Sequence, residues 1–185
     1  MKVRQTALPE VLLIEPDVFR DARGSFQELY RKERYVEHGI PCEFVQDNLS
    51  TSQRHVLRGL HLQHPSAQDK LVFVIEGAVF DVAVDVRTGS PTFGEWAGEI
   101  LDADHRRQLF IPQGFAHGFC VLSETCTFAY KCSDVYDPAA EVTIAWNDPQ
   151  VGIRWPVDEP VLSERDRAAP RLADLDPGRL PRFGA

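Results

Sequence analysis

The sequence has few of the residue groupings that bind structural metal ions. Its four cysteines stand apart, with no CxxC pair and no tight cluster of cysteine and histidine: Cys42, Cys120, Cys126 and Cys132. Structural zinc sites require closer groupings than these. We therefore expect free thiols, most of them buried in a hydrophobic core.

Long hydrophobic runs are absent as well. No segment approaches the length of a membrane-spanning helix, and residues 1–16 (MKVRQTALPEVLLIEP) lack the apolar run of a signal peptide. Basic residues are also fewer than acidic ones, with 20 Lys and Arg against 28 Asp and Glu and a net charge of -8. This balance argues against broad attachment to nucleic acid or anionic membranes. We predict a cytoplasmic protein with neither kind of partner, in which any anionic ligand meets a local basic cluster.

The sequence does contain a succession of short apolar and β-branched segments, separated by Gly, Pro, Asp and Ser. Such spacing is typical of an all-β sandwich or barrel. We predict strands within residues 11–16, 25–30, 43–50, 56–63, 70–77, 78–87, 93–101, 107–112, 116–122, 127–132 and 142–147. Helices are predicted only at 31–39, ended by Gly39, and at 163–175. We expect one domain, residues 1–185, with a loosely ordered tail from Pro177.

One predicted strand carries polar groups that a buried strand would not normally hold. The stretch LRGLHLQHP, residues 57–65, places Arg58, His61 and His64 among apolar residues. An unpaired buried cation costs several kcal/mol, so Arg58 either pairs with an acidic neighbour or faces a ligand. Strict alternation would set Arg58 and His61 on opposite faces. Gly59 could permit a bulge that turns both towards one site.

A second segment indicates the type of barrel. IPQGFAHGF contains Pro112, Gly114 and His117 in the order PxGxxH, which resembles the second motif of the cupin double-stranded β-helix. The first cupin motif supplies HxH to a metal, whereas this chain reads HLQ, with Gln63 in place of the second histidine. Amide oxygen is a poor ligand for transition metals, and His64 would face the other side of the strand. We predict an all-β cupin-type jelly-roll barrel with a few short peripheral helices and no metal.

Eleven segments in order, from about residue 10 to 170, carry a more specific resemblance: RGSFQE, FVQDN, VLRGLHLQ, KLV, GAVFDVAVDVR, SPTFGEW, IPQGFAHGF, FAYKC, IAWNDP, GIRWP and LSERD. Together they resemble the dTDP-4-dehydrorhamnose 3,5-epimerase family, metal-free cupins that act on nucleotide-linked keto sugars. The resemblance implies a cofactor-independent isomerase that inverts C3 and C5 of dTDP-4-dehydro-6-deoxy-D-glucose, giving dTDP-4-dehydro-L-rhamnose. Each inversion would remove a proton beside the ketone and return one from the opposite face.

Three alternatives remain open at the level of sequence. One is a mono-epimerase that acts at C3 or C5 only, in an antibiotic-sugar pathway; the others are a metal-dependent cupin and a non-catalytic sugar-binding cupin. Leu49 after QDN and Phe73 after KLV depart from residues seen in some family members. These departures weaken the inference about the exact substrate.

The resemblance implies four catalytic residues. His61 matches the family's base, and imidazole is the side chain whose ordinary pKa lies closest to neutral pH. Asp166 matches the partner that orients this ring, although Ser163 followed by Asp166 also approximates a helix capping box. Lys70 matches the cation placed near the ketone, where it would offset the charge of an enolate. Tyr130 matches the acid on the face away from His61.

Substrate contacts are implied for eight residues: Arg23, Phe26, Glu28, Gln46, Asn48, Arg58, His117 and Tyr136. Arg58 would hold the nucleotide diphosphate, for which its planar fork is suited. Tyr136 and Phe26 would pack against the thymine. Arg23, Phe26 and Glu28 lie on a segment that, in the family, reaches into the partner's site, which implies a homodimer with shared active sites. The chain has neither a P-loop nor a GxGxxG motif, so nucleotide binding must rest on side chains.

Overall fold

The computed structural model describes residues 1–40 and 43–184. These residues form the strands β1 Lys2–Gln5, β2 Leu12–Glu15, β3 Val18–Asp21, β4 Gly24–Gln27, β5 Gln46–Gln53, β6 Leu57–Gln63, β7 Lys70–Glu76, β8 Ala78–Asp85, β9 Trp96–Asp102, β10 Gln108–Ile111, β11 Phe115–Val121, β12 Thr125–Cys132 and β13 Glu141–Thr143. The helices are α1 Lys32–Val36 and α2 Glu164–Arg167, with 3₁₀ turns at Leu172–Asp174 and Pro177–Arg179.

Two antiparallel sheets form the barrel. The first has the order β1-β2-β10-β7-β12-β5, the second has the order β13-β6-β11-β8-β9, and β3 and β4 form a separate hairpin. The main core lies between the two sheets, where Val72 and Phe128 of the first share a cluster with Val79 and Phe119 of the second. The predicted cupin-type all-β fold is confirmed, with only short helices.

The central strands β8 and β11 of the second sheet are buried on both faces, which explains why they read as nearly continuous apolar runs. In β8, Val79 and Ala83 face the main core, while Val82 and Val84 face a second cluster formed with the C-terminal segment. Leu180 packs in that second cluster. The expectation of a loosely ordered tail from Pro177 is therefore wrong. The tail is fixed by the burial of Leu180, a single apolar residue that forms no periodic sequence pattern.

The secondary structure matches the remaining predictions in part. Strands β1 and β3 lie outside the predicted set, because most of their residues are exposed and their pattern is therefore polar. The predicted helix at 31–39 is shorter, ending at Val36, with Gly39 at φ +84° beyond it. The helix predicted at 163–175 divides into α2 and a 3₁₀ turn, on either side of Pro170, which has no N–H to donate.

The cysteines agree with the prediction as far as they are described. Cys120, Cys126 and Cys132 are free and buried, and Cys42 lies outside the described residues. Over residues 1–40 and 43–184, no helix has both the length and the apolar character needed to cross a membrane.

Candidate active site

The barrel contains a cleft bounded by both sheets. A cavity of about 630 Å³ is lined by Arg58, His61 and His117 from the second sheet and by Lys70 and Tyr130 from the first. A neighbouring cavity of about 340 Å³ shares His61, Lys70 and Tyr130 with it, so the two form one continuous site. Arg58 and His61 thus face a solvent-accessible cleft, whereas His64 lines neither cavity.

A bulge in β6 explains how Arg58 and His61 reach the same cleft. Arg58 pairs with Phe119 and His61 pairs with His117, so two residues of β6 lie opposite the single Gly118 of β11. Gly59 has φ +133°, and a Cβ atom there would lie 2.5 Å from the Cα of Gly118. Only glycine fits this position. The predicted bulge at Gly59 is confirmed.

Arg58 has no carboxylate partner in the described part of the chain. Its Nε and Nη2 both donate to the hydroxyl of Ser52, each at 3.1 Å, and the residue is exposed. Of the two alternatives raised by the sequence, pairing with an acidic neighbour and facing a ligand, the geometry favours the second. A guanidinium held by one neutral hydroxyl keeps most of its donors for an anion.

His61 and Asp166 form a close pair although they are 105 residues apart in sequence. His61 Nε2 lies 2.6 Å from Asp166 Oδ1, and the Asp166 side chain is only 4% exposed. Burial alone would raise the pKa of Asp166, but the hydrogen bond and the charge of His61 outweigh burial and lower it. The Asp166 backbone N–H also donates to Ser163 Oγ at 3.0 Å, which is the expected helix cap. The two contacts are compatible, because the cap uses the Asp166 backbone and the pair uses its carboxylate.

Behind Lys70 and His117, which line the cleft, lies a buried carboxylate, Asp81. His117 Nε2 lies 3.0 and 3.1 Å from the two oxygens of Asp81, which is 0% exposed. Burial raises the pKa of Asp81, against the opposing effects of His117 and Lys70. Burial lowers the pKa of the Lys70 ammonium, and Cys132, Glu141 and Asp81 only partly oppose this effect. Lys70 and Asp81 thus each favour the charged form of the other.

Tyr130 enters the cleft from the opposite sheet to His61. It lies on β12 between Asn48 of β5 and Val72 of β7, with its ring 6.1 Å from that of Phe128. Burial is the main cause of a raised pKa at this phenol. The hydroxyl therefore stays protonated at neutral pH and can act as a proton donor.

A second charged cluster lies at the mouth. The Tyr136 hydroxyl donates to Glu141 at 2.5 Å, and Arg165 binds the same carboxylate through both terminal nitrogens. Burial opposes ionisation of Glu141, but Arg165 and Tyr136 lower its pKa. Glu141 thus joins the segment after β12 to the start of α2 across the cleft.

Of the remaining predicted contacts, two lie in the smaller cavity and three lie elsewhere. Gln46 Nε2 donates to Asn48 Oδ1 at 3.0 Å on the cleft side of β5. Arg23 is 90% exposed and pairs with Asp21, at the turn of the β3–β4 hairpin. Phe26 is 69% exposed, and Glu28 pairs with Arg34 at 3.3 Å. Neither cavity of the cleft is lined by Arg23, Phe26 or Glu28.

Asp81, Glu141 and Arg165 are functional candidates that the sequence patterns did not identify. Asp81 had a visible signal, since it stands in the middle of the otherwise apolar run AVFDVAVDV. A buried strand that holds a carboxylate needs a partner for it. Arg165 adjoins Asp166 in the LSERD motif, but Glu141 follows a loop and carried no local signal. Among the described residues, no group of three or more His, Cys, Asp or Glu side chains is arranged to hold a metal ion.

Comparisons with known proteins agree on one family. Residues 5–174 match the family model for dTDP-4-dehydrorhamnose 3,5-epimerase. The chain is 54% identical over 178 residues to the dTDP-4-dehydrorhamnose 3,5-epimerase of Pseudomonas aeruginosa, which covers 95% of this chain and 98% of that protein. It is also 42% identical over 186 residues to the dTDP-4-dehydrorhamnose 3-epimerase of Streptomyces niveus, covering 99% of this chain and 90% of the other.

A solved structure is similar over the whole length. It is the dTDP-6-deoxy-D-glucose-3,5-epimerase from Legionella pneumophila Philadelphia 1, in complex with dTDP-4-keto-L-rhamnose. The TM-score is 0.97 and the identity is 50%, over 100% of this chain and 99% of that one.

Proposed function

The chain belongs to the dTDP-4-dehydrorhamnose 3,5-epimerase family and is an isomerase of that type, and we propose that it inverts C3 and C5 of dTDP-4-dehydro-6-deoxy-D-glucose. The product would be dTDP-4-dehydro-L-rhamnose. The observation that carries the proposal is the opposition of the His61–Asp166 pair and Tyr130 across one cleft, with Lys70 in the same cleft.

His61 is proposed as the base. Its contact with the ionised Asp166 keeps the proton on Nε2 and leaves Nδ1 to accept a proton from carbon. The C4 ketone acidifies the hydrogens on C3 and C5, so each proton leaves to give an enolate. Asp166 then stabilises the imidazolium, as the carboxylate does in a catalytic triad.

Lys70 is proposed to stabilise the enolate oxygen. A preorganised cation in a site of low polarity can lower such a barrier by roughly 3 kcal/mol. Tyr130, protonated and on the opposite sheet, returns a proton to the other face of the carbon. The imidazolium and the phenolate left behind are neutralised by proton transfer through solvent, so the cycle consumes no cofactor.

The nucleotide is proposed to lie along the mouth. Arg58 would take the diphosphate, because its guanidinium is exposed and held only by Ser52. Tyr136 would pack against the thymine, since it is 51% exposed at the edge of the smaller cavity. Gln46, Asn48 and His117 would complete the contacts with the ligand.

A homodimer with shared sites is the second part of the proposal. The β3–β4 hairpin exposes Phe19 and Phe26 by 63% and 69%, and two exposed phenylalanines on one hairpin are typical of an interface. We place Arg23, Phe26 and Glu28 in the partner's cleft, because they lie outside the cleft of their own chain. A cytoplasmic location is also proposed, supported by the three buried free thiols, which a reducing compartment preserves.

The deciding experiment uses deuterated water. The protein is incubated with dTDP-4-dehydro-6-deoxy-D-glucose, and the label is located by proton NMR. Label and inversion at both C3 and C5 are expected. Absence of label from both carbons would reject an epimerase function altogether.

A mono-epimerase is the second candidate, and the similarity to the 3-epimerase of Streptomyces niveus favours it. Label and inversion confined to one carbon in the same experiment would support this candidate. The two departures from the family's motifs do not discriminate between the candidates, because Leu49 and Phe73 line neither cavity of the cleft. They line an adjacent cavity that shares Tyr130 and Asn48 with the cleft.

A further inference from the structure

Four consecutive residues at the mouth of the cleft are held by glutamine side chains. They belong to the irregular segment 133–140, which joins β12 to β13. Gln68 Nε2 donates to the Asp134 carbonyl at 2.8 Å, and Gln46 Oε1 accepts the Tyr136 N–H at 2.9 Å. Gln63 holds the other two, since its Nε2 donates to the Val135 carbonyl at 3.3 Å and its Oε1 accepts the Asp137 N–H at 2.8 Å.

The side-chain amide of Gln63 uses both of its hydrogens and its oxygen in hydrogen bonds. It is 5% exposed, and its second amide hydrogen goes to the Ser66 carbonyl at 2.7 Å. Two donors and one acceptor are therefore in use on one side chain. A neutral histidine offers one donor and one acceptor, and a glutamate offers no donor, so neither can replace the amide. The residue that departs from the cupin metal motif thus makes two of the four glutamine side-chain hydrogen bonds that hold this segment.

The segment carries one exposed aromatic ring in a fixed position. The backbone N–H of Tyr136 is held by Gln46, its neighbours on both sides are held by Gln63, and its hydroxyl is held by Glu141. Stacking of a base on an aromatic ring contributes roughly 1–3 kcal/mol. That contribution is largest when the ring is already in place, because binding then carries no cost for ordering it.

We propose that Gln63 and Gln68 are positioning residues for the nucleotide base, which they serve by holding the backbone on either side of Tyr136. This inference rests on the proposed function, since it takes a thymine to be the group that meets Tyr136. Both glutamines line the smaller cavity beside Tyr136, and their proposed effect on the base passes through the tyrosine ring.

The test compares Gln63→Met and Gln68→Met with wild type, using calorimetry with dTDP and with inorganic pyrophosphate. Methionine preserves the length of the side chain and removes its amide. We expect the Kd for dTDP to rise about tenfold, equivalent to about 1.4 kcal/mol, in each variant. The Kd for pyrophosphate should stay within about twofold, and KM for the sugar nucleotide should rise with little change in kcat. Gln53→Met is the matched control, because Gln53 is exposed on β5, and it should bind dTDP as wild type does.

A double mutant separates positioning from general damage to the fold. If the glutamines act through the ring, Gln63→Met combined with Tyr136→Ala should bind dTDP no more weakly than Tyr136→Ala alone. Additive losses, parallel weakening of pyrophosphate, or an unchanged Kd for dTDP in both glutamine variants would each overturn the inference. Should Gln63→Met fail to fold, Gln68→Met decides, since that side chain is partly exposed and makes a single contact.

The outcomes also separate this inference from the proposed function. A wild-type protein that binds dTDP but exchanges no deuterium would reject the epimerase reaction and leave the binding comparison valid. Wild-type exchange with undisturbed binding in both glutamine variants would reject only the role given to Gln63 and Gln68.

Discussion

His61 and Tyr130 face each other from different sheets, and this separation predicts different consequences of removing each. His61→Asn should abolish both epimerisation and deuterium uptake while leaving dTDP binding nearly intact. Tyr130→Phe should still form the enolate, which His61 can reprotonate, so label should enter without inversion or with slower inversion. General acid and base groups contribute about 10²- to 10⁴-fold each, which NMR time courses resolve easily.

The control for this pair is His38→Asn, because His38 is exposed after α1 and lines neither cavity of the cleft. It should exchange and invert at the wild-type rate. The assignment fails if Tyr130→Phe loses exchange as completely as His61→Asn does, or if His61→Asn continues to exchange.

Asp81 leads to a prediction about pH. Lys70 must be protonated to stabilise an enolate, so activity falls as the pH rises through the Lys70 pKa. Burial already lowers that pKa, and Asp81, Glu141 and Cys132 are the groups that raise it. Asp81→Asn removes one negative charge and keeps an oxygen that accepts from His117. The alkaline limb of kcat/KM should therefore move to lower pH, as measured by rates at pH 6 to about 10.

The matched comparison for Asp81→Asn is Asp102→Asn, which removes a carboxylate from β9 outside the two cleft cavities. Its alkaline limb should coincide with that of wild type. An unmoved limb in Asp81→Asn would show that Asp81 does not control the charge of Lys70.

At the scale of secondary-structure elements, the bulge in β6 determines the site. A methyl group on Gly59 would lie 2.5 Å from Gly118 Cα and 2.9 Å from the His117 carbonyl oxygen. Both are backbone atoms, which cannot move aside without distorting β11. Gly59→Ala should lower the free energy of unfolding by about 2 kcal/mol or more, since strained backbone positions cost about 1–3 kcal/mol each. It should also lower kcat/KM, because Arg58 and His61 no longer share the cleft. Urea unfolding and steady-state kinetics measure the two effects.

Gly89→Ala is the matched control for this substitution. Gly89 also has a positive φ, at +83°, but a methyl group added there would have nothing within 4 Å. Its cost should be limited to the roughly 1–2 kcal/mol of placing a Cβ atom on left-handed backbone, with kcat/KM unchanged. Equal losses in both variants would mean that close strand contact at Gly59 has no special role.

The elements also differ in how far they could be predicted from the sequence. Buried strands such as β6 and β8 were predictable, because apolar residues at strand spacing mark them directly. The faces of β6 could only be raised as alternatives from the sequence, because the bulge at Gly59 depends on Gly118, which belongs to a strand distant in sequence. Edge strands β1 and β3 could not be found because exposure leaves their composition polar.

The predicted site shows the same division. His61, Lys70, Tyr130 and Asp166 lie in segments that could be identified along the chain, and the fold brings them together. Glu141 could not be found, because its contact with Arg165 arises only when β13 and α2 meet. Local patterns therefore identify the members of a motif, while charge partners depend on tertiary contacts.

On the scale of the whole molecule, shared active sites predict complementation between two defective variants. In a dimer of His61→Asn with Arg23→Ala, one cleft would carry both defects and the other would be intact. Random exchange of protomers should restore about a quarter of the wild-type activity, because half the dimers are mixed and each has one intact cleft. Mixing the variants, allowing subunit exchange and measuring epimerisation gives the result.

The matched control mixes His61→Asn with Lys70→Ala, because both side chains belong to the cleft of their own chain. Every cleft in that mixture carries one defect, so no activity should return. Failure of the Arg23→Ala mixture to recover activity, in samples that demonstrably exchange subunits, would place Arg23 outside the partner's cleft. A fully active monomer in sedimentation measurements would remove the need for a partner.

The distance along the chain between His61 and Asp166 has a consequence for biosynthesis. The two residues are 105 positions apart, and ribosomes add roughly 5–20 residues per second, so the base waits on the order of ten seconds for its partner. During that interval the outer side of β8 also lacks Leu172 and Leu180, which later cover Val82 and Val84. The nascent polypeptide therefore exposes an apolar sheet face to solvent before it can turn over substrate. During that interval chaperones would find a binding site on this face.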